Sequence, residues 1–237
     1  MSSLMTMDGR LLSLLCLSLG LFSTPIAATE LSEPWQEILS EEGVTVWQAE
    51  VANSSLVKFR GVGIVNAPLN RIVAVVSDLT RRQEWQINCV ESRVIESMTA
   101  DHMIGYYRLK GPPLISDRDV VFDAVLTTQA DLGIVRIDFN EVTDIRMPLV
   151  DGVERMPKLH GYWKMQWLAE SVTEVTYEVQ ADPGGWIPDW LVNHAAKSFP
   201  HGSIVRLRRQ VKRRGYEKQE KLMDGLIRWE HFRKVAP

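Results

Sequence analysis

The sequence predicts an α+β fold in which an antiparallel sheet is covered by one long C-terminal helix. Segments that alternate apolar and polar residues follow one another with only short polar breaks, which is typical of an antiparallel meander rather than of βαβ units. Several of these segments have one clearly apolar face, as in a sheet that is wet on one side and dry on the other. Only the helical run near the C-terminus is long enough to cover the dry side.

The elements follow in order along the chain. A short helix is expected at 34–39, and strands are expected at 44–51 and 56–65. Pro68 suits the first turn of a helix that runs to Ser77, because a proline at that position loses no helical hydrogen bond. After Trp85, strands are predicted at 88–98, 102–110, 117–128, 132–143, 159–169 and 173–181.

Two strands near the C-terminus show the apolar face most clearly. In the first, the apolar positions are Leu159, Gly161, Trp163, Met165 and Trp167; in the second, they are Val175, Tyr177, Val179 and Ala181. Tryptophan and methionine are bulky, and methionine adapts its shape to an irregular space. Periodicity cannot distinguish a cavity from a packed interior, and the pattern alone favours an ordinary filled core.

An arginine interrupts the apolar face of another strand. Arg118 alternates in line with Val120 and Phe122, so its side chain is expected to point inward. A buried guanidinium without a partner costs several kcal/mol. We therefore expect a carboxylate close to Arg118.

The C-terminal helix is predicted to begin at Trp190, with Asp189 as its cap. Pro200 kinks or breaks this helix, because a proline removes a backbone donor. Ala195 and Ala196 keep the helix thin and leave room beneath it, although a plain amphipathic helix that seals a core fits the same residues. An apolar seam continues beyond the proline at Ile204, Leu207 and Val211.

Basic side chains crowd the end of the helical run: Arg206, Arg208, Arg209, Lys212, Arg213 and Arg214. Beside an opening, such a cluster would be attracted to an anionic membrane by ~1 kcal/mol for each basic residue near the surface. The alternative is a solvated helix face, partly offset by Glu217 and Glu220. Residues 215–237 form a further amphipathic helix that packs back on the sheet or contacts a partner or a membrane.

The N-terminus has the pattern of a secretory signal peptide over residues 1–28. Arg10 precedes an apolar run at 11–21, and Ile26-Ala-Ala28 supplies the small residues of a cleavage site. The apolar run is about half of the ~20 residues that a spanning helix needs; an uncleaved membrane anchor is the alternative. Export predicts a periplasmic or secreted protein, and removal of the leader leaves Cys89 as a lone thiol.

Composition excludes several classes of function. The 237 residues carry a formal net charge of only −3, which argues against nucleic acid as a partner. The five histidines show no metal-ligand spacing, and neither a Gly-x-Ser-x-Gly elbow nor a P-loop is present. We therefore expect no metal, no cofactor and no enzymatic activity, and we expect a monomer.

Four segments resemble the StAR-related lipid-transfer (START) domain family and follow the order that the family shows. The resemblance extends from about Val44 to Arg214 and defines a domain at 29–214. It rests on a second strand at 57–65 (Val-Lys-Phe-Arg-Gly-Val-Gly-Ile-Val), a Trp-bearing helix at 78–85 (Asp-Leu-Thr-Arg-Arg-Gln-Glu-Trp), a turn into the central strand at 111–119 (Gly-Pro-Pro-Leu-Ile-Ser-Asp-Arg-Asp), and an Asp182-Pro-Gly-Gly-Trp-Ile-Pro-Asp-Trp190 entry into the last helix.

The resemblance implies a helix-grip fold, a curved sheet closed by the C-terminal helix around an apolar cavity. It further implies a protein that binds and transfers one lipid or sterol-like amphiphile, with the C-terminal helix as the gate. Together with the signal peptide, this suggests an exported bacterial member of the family. An enzyme on the same scaffold acting on a hydrophobic molecule is one alternative. A ligand sensor that signals to a protein partner through its 216–235 tail is another.

The resemblance also implies a set of ligand-binding residues. The family pairs the arginine at the position of Arg118 with an acidic residue, and that alignment selects Glu91. The pair would anchor a lipid head group or simply join two strands. The predicted apolar lining is Phe122, Trp163, Met165, Trp167 and Tyr177, with Leu191 and Ala195 from the helix. An irregular insert at 146–158 departs from the simple turn that the family often has here.

Overall fold

The computed structural model describes residues 34–144 and 146–227. The predicted signal peptide at 1–28 and the last ten residues of the C-terminal extension lie outside these ranges, so their predictions stay predictions.

Within the described ranges the chain forms ten strands and four α-helices. The strands are β1 (Gln36–Glu41), β2 (Val44–Val51), β3 (Ser54–Val65), β4 (Cys89–Ser97), β5 (His102–Leu109), β6 (Asp117–Gln129), β7 (Ile134–Glu141), β8 (Val153–Arg155), β9 (Lys158–Ala169) and β10 (Val172–Asp182). The helices are α1 (Leu69–Ser77), α2 (Asp189–Ala196), α3 (Ser198–Gln210) and α4 (Glu217–Ile227), with 3₁₀ segments at Leu79–Glu84 and Ala130–Leu132.

All ten strands belong to one curved sheet, in the order β1-β2-β3-β10-β9-β7-β6-β5-β4, and β8 pairs in parallel with β6. The other pairings are antiparallel, which confirms the predicted α+β fold. The helix expected at 34–39 is wrong, because β1 pairs there with β2. Six residues are too few to form a stable helix alone, so the sheet edge decides their structure.

Helices α1 and α3 pack on one face of the sheet and share its core. Leu69, Ile72, Ile204 and Leu207 are fully buried there with the apolar faces of the strands. The approach of α3 to β3 depends on Gly61, since a Cβ at this position would lie 2.7 Å from Cβ of Pro200. These two helices therefore cover part of the dry side of the sheet.

The predicted long helix is two helices, α2 and α3, with only Lys197 between them. Pro200 lies in the first turn of α3, where its missing N–H costs no hydrogen bond. The break therefore precedes the proline, and the two helices contact the sheet independently.

The C-terminal extension packs on α1 rather than on the sheet. Met223 and Ile227 of α4 are buried. Asn70 Nδ2 donates to Asp224 Oδ1 at 2.8 Å, and Arg71 pairs with Glu220 at 3.0 Å. Part of the apolar face of α4 is thus covered by α1, whereas Leu222 stays 46% exposed. No helix in the described part of the chain is both long and apolar enough to cross a bilayer.

Candidate functional site

A cavity of about 290 Å³ lies between α2 and the sheet. This volume is near the lower end of the range for small-molecule sites. A smaller cavity of about 30 Å³ adjoins it, and Arg82, Tyr107 and Tyr177 line both. The walls of the larger one are mainly apolar and include Val57, Phe59, Leu109, Ile115, Met156, Leu159, Val179, Ile187, Leu191 and Phe199.

Helix α2 covers this cavity without burying any of its own residues. The side chain of Asn193 connects this helix to the sheet by two hydrogen bonds. Val57 N–H donates to Asn193 Oδ1 at 3.3 Å, and Asn193 Nδ2 donates to the carbonyl of Ser55 at 3.2 Å. The helix is therefore held at the first residues of β3 by one amide group.

The structure separates the predicted lining residues into three groups. Arg118, Tyr177, Leu191 and Ala195 line the larger cavity. Phe122 and Trp163 line the smaller one. Met165 and Trp167 line neither: Met165 is fully buried in the core and Trp167 packs against it. They share a face with Leu159, but they lie toward the end of β9 that is filled by helices.

The predicted Glu91–Arg118 pair is wrong. Instead, Oε2 of Glu91 lies 3.5 Å from Nη2 of Arg108, and Oε1 of Glu91 lies 3.7 Å from Nη1 of Arg93. Strand β5 separates β4 from β6, so the two residues stand two strands apart, roughly 10 Å. A bulge after Cys89 places Glu91 opposite Arg108 of β5, and Arg108 is in turn opposite Asp119 of β6. Directly opposed residues share a face of the sheet, so Glu91 is on the face of Asp119. Arg118 points to the other face.

Arg118 contacts backbone carbonyls at the opening of the cavity. Its Nη1 donates to Ser116 O at 2.5 Å, and its Nε and Nη2 donate to Pro183 O at 3.4 Å and Gly184 O at 3.5 Å. Burial lowers the pKa of Arg118, and the charge of Glu154 opposes this shift. The carboxylate expected near Arg118 thus comes from β8, in the irregular insert.

Sequence analysis missed the polar group at the inner end of the cavity, Arg82. Its Nη2 donates to the carbonyl of Val76 at 2.8 Å, whereas its Nε is buried without a hydrogen-bond partner. No carboxylate forms an ion pair with it among residues 34–144 and 146–227, and burial lowers its pKa. Arg82 stands beside Arg81 in the sequence, but Arg81 turns outward to Glu84. Which of the two points inward depends on the 3₁₀ segment, which the sequence pattern does not reveal.

Two tyrosines complete this inner polar site. Tyr107 and Tyr177 line both cavities with Arg82. Burial raises the pKa of Tyr107, and it raises the pKa of Tyr177 to about 12, so both hydroxyls stay protonated donors. Trp163 stacks on Tyr177 with ring centroids 4.1 Å apart and fixes its ring. One guanidinium and two hydroxyl donors in apolar surroundings are complementary to an anionic or strongly accepting group.

Large apolar side chains are exposed around the opening. Leu114 is fully exposed, Trp186 is 96% exposed and Trp190 is 71% exposed. They alternate with residues that line the cavity, among them Ile115, Ile187 and Leu191. We call Leu114, Trp186 and Trp190 the rim.

The basic cluster lies away from this opening, so it does not flank the gate as the docking interpretation supposed. Arg208 donates to the carbonyls of Ile64 and Gly43, each at 2.8 Å, and also to that of Glu42. Ile64 is seven residues along β3 from Val57, where α2 is held, a separation of about 23 Å. Arg206 and Arg209 are exposed on α3, and Lys212 and Arg213 are exposed just beyond its end.

Comparison with known sequences finds similarity to START domains and to a named transfer protein. The START domain model matches residues 27–215. Uncharacterized protein PA1579 of Pseudomonas aeruginosa is 33% identical over 189 residues, which cover 80% of this chain and 92% of that protein. Phosphatidylcholine transfer protein of Mus musculus is 24% identical over 184 residues, covering 73% and 84%.

Solved structures agree with these matches. The STAR-related lipid transfer protein (fragment 25–204) from Xanthomonas axonopodis has a TM-score of 0.69 and 28% identity, covering 76% of this chain and 99% of that one. Human STARD10 has a TM-score of 0.70 at 22% identity, covering 86% and 82%, and supports the fold.

Proposed function

The chain belongs to the START domain family, and from this premise we propose that it binds one lipid or related amphiphile beneath α2 and transfers it between membranes. Named relatives of the chain are lipid transfer proteins. The observation that carries the proposal is a mainly apolar cavity with one incompletely paired guanidinium, Arg82, at its inner end.

The apolar walls account for the affinity for lipid chains. A carrier must match what the membrane provides, ~0.8 kcal/mol for each buried CH₂, or about 16 kcal/mol for roughly twenty methylenes. Burial of apolar groups in the cavity contributes free energy of this kind, so the proposed transfer requires no covalent step.

The inner polar site favours an amphiphile with an acidic head group. A buried cation without a counter-charge is costly, and a phosphate or carboxylate would supply the acceptors that Arg82 lacks. The hydroxyls of Tyr107 and Tyr177 are placed to donate to the same group. We therefore infer that the ligand enters with its head group toward Arg82 and its chains toward α2.

Gating and membrane contact belong to the same proposal. Helix α2 buries no residue of its own, so it is the element that opens. The rim residues Leu114, Trp186 and Trp190 contact the membrane surface, since tryptophan partitions into the interfacial region of bilayers. The basic cluster is a separate surface for weaker, peripheral attraction to anionic lipid.

The transfer takes place in the periplasm or outside the cell, as the signal peptide predicts.

Native mass spectrometry of the purified protein, followed by extraction of bound small molecules, tests this proposal. We expect one amphiphile per chain, with a phosphate or carboxylate head group. Arg82→Met should reduce its occupancy at least about tenfold, because the charge-assisted hydrogen bonds are lost. Lys221→Met, which removes one exposed positive charge on α4 away from the cavity and from the basic cluster, is the control and should keep full occupancy.

Two outcomes would contradict the proposal at different levels. Unchanged occupancy by the same acidic lipid in Arg82→Met would refute the head-group assignment and leave lipid binding intact. A protein that carries no amphiphile and takes up none from vesicles of phosphatidylcholine, phosphatidylglycerol and sterol would refute lipid binding. The enzyme and sensor alternatives would then be tested by substrate turnover and by capture of a partner.

A further inference from the structure

The turn that leads into α2 lies tightly against the insert. Gly184 and Gly185 both have left-handed backbone conformations, with φ of +65° and +70°. A Cβ on Gly184 would lie 3.0 Å from Cδ of Pro157 and 3.4 Å from the carbonyl of Arg155. Glycine is required at such close, left-handed positions. This turn is therefore the natural hinge between the fixed strand β10 and the exposed helix α2.

Arg118 connects this hinge to the opposite side of the opening. Its short hydrogen bond goes to the carbonyl of Ser116, at the end of the loop that carries Leu114. Its hydrogen bonds to the carbonyls of Pro183 and Gly184 are longer, 3.4 and 3.5 Å. Hydrogen bonds weaken at such lengths. The guanidinium is thus firmly held on the β6 side and weakly attached to the hinge.

Glu154 lies next to Arg118 but forms no hydrogen bond or ion pair with it in the described structure. In the parallel pairing of β6 with β8, Arg118 and Glu154 are direct partners. A Cβ on Gly185 would lie 3.5 Å from Nη2 of Arg118 and 3.6 Å from Cδ of Glu154. The hinge therefore contacts both groups at once and lies over the space between them.

We propose that Arg118 and Glu154 form a donor-exchange latch for α2. In the closed state, Arg118 donates to the hinge carbonyls. When the hinge moves away with α2, the same donors pass to the Glu154 carboxylate, so the guanidinium never loses its acceptors. The latch regulates the opening of the cavity. It rests on the proposed function only for the identity of the lipid that enters.

The exchange predicts opposite effects for the two residues. Without Glu154, opening leaves Arg118 donors unsatisfied, so opening becomes rarer. Without Arg118, the closed state loses its bonds to the hinge and opening becomes more frequent. Because Glu154 acts through Arg118, its removal has no further effect once Arg118 is gone.

Hydrogen exchange of the full chain, followed by mass spectrometry without added lipid, measures this opening at the amides of 184–197. We expect Glu154→Gln to slow exchange there about tenfold, as one charge-assisted hydrogen bond in the open state would require. Arg118→Met should accelerate it by a similar factor, and the double variant should match Arg118→Met. Glu170→Gln, at the exposed β9–β10 turn, is the control and should leave exchange unchanged.

Acceleration by Glu154→Gln would overturn the latch, since Glu154 would then stabilise the closed state; no change would overturn it as well. If Arg118→Met does not fold, Arg118→Lys replaces it and should accelerate exchange less, because lysine keeps the charge but not the planar fork. Since the measurement needs no lipid, failure of the latch and failure of lipid binding are distinguishable.

Discussion

Helices α2 and α3 are separated by one residue, yet they are held to the sheet in different ways. Helix α3 buries Ile204 and Leu207 completely, and Arg208 ties it to carbonyls of three other residues. Helix α2 buries no residue, and the amide of Asn193 attaches it to β3.

The difference separates a firmly packed element from a loosely attached one. Full burial of one leucine or isoleucine side chain contributes about 1.5–3 kcal/mol, whereas a typical hydrogen bond contributes about 1 kcal/mol net. Movement of α3 would expose two such side chains, whereas movement of α2 breaks the Asn193 contacts and uncovers half-buried residues. The continuous helical run in the sequence thus contains one firmly packed helix, α3, and one loosely attached helix, α2, which we propose as the gate.

The largest effect is expected for a cavity beneath α3. Leu207→Ala should lower the free energy of unfolding by about 2–5 kcal/mol, because a buried leucine is truncated in a packed core. The matched change Leu191→Ala on α2 should cost less than about 1 kcal/mol, since Leu191 is only half-buried. Urea denaturation measures both, and equal losses would remove the distinction between the helices.

The next effect concerns the polar tie of α3. Arg208→Met should lower the free energy of unfolding by about 1–3 kcal/mol, because its hydrogen bonds to Ile64, Gly43 and Glu42 are lost. Arg206→Met, on the exposed side of the same helix, should change it by less than about 0.5 kcal/mol. Similar values for the two variants would show that the Arg208 contacts do not hold α3.

The polar tie of α2 should affect local opening and not global stability. Asn193→Ala should accelerate amide exchange in α2 about fivefold, as expected from the loss of about 1 kcal/mol of hydrogen bonding. Asn193→Asp keeps the acceptor for Val57 N–H but loses the donor to Ser55, so its effect should be smaller. A large fall in the urea midpoint for Asn193→Ala would show that α2 is part of the global core.

The smallest effect is the pH dependence of a second α3 contact. Hydrogen bonds from Arg81 and Gln210 lower the pKa of Glu84 below its usual 4.5. A lowered folded-state pKa gives stability that is present above pH 4.5 and is lost as pH falls through the folded-state value. Glu84→Gln should therefore weaken the acid dependence of the unfolding free energy below pH 4.5, and an unchanged slope would contradict this role.

The sequence by itself determined eight of the ten described strands, the apolar faces of β9 and β10, and the fold class, whereas it missed β1 and β8. The period-2 pattern of β9 and β10 predicts which side chains face inward, because successive residues of a strand point to opposite sides. The Asp182–Trp190 segment and the three segments before it were sufficient to indicate the START family.

Only the tertiary structure decided which part of the inner face is hollow and which polar groups meet there. Met165 and Leu159 share a face, yet only Leu159 lines the cavity. Glu91 is paired with Arg108 and not with Arg118, because a bulge and an intervening strand separate the partners. Arg82 and Glu154 come from a 3₁₀ segment and an irregular insert, where no periodicity fixes the direction of a side chain. Alternation specifies a face; strand order, bulges and the packing of helices decide what that face contacts.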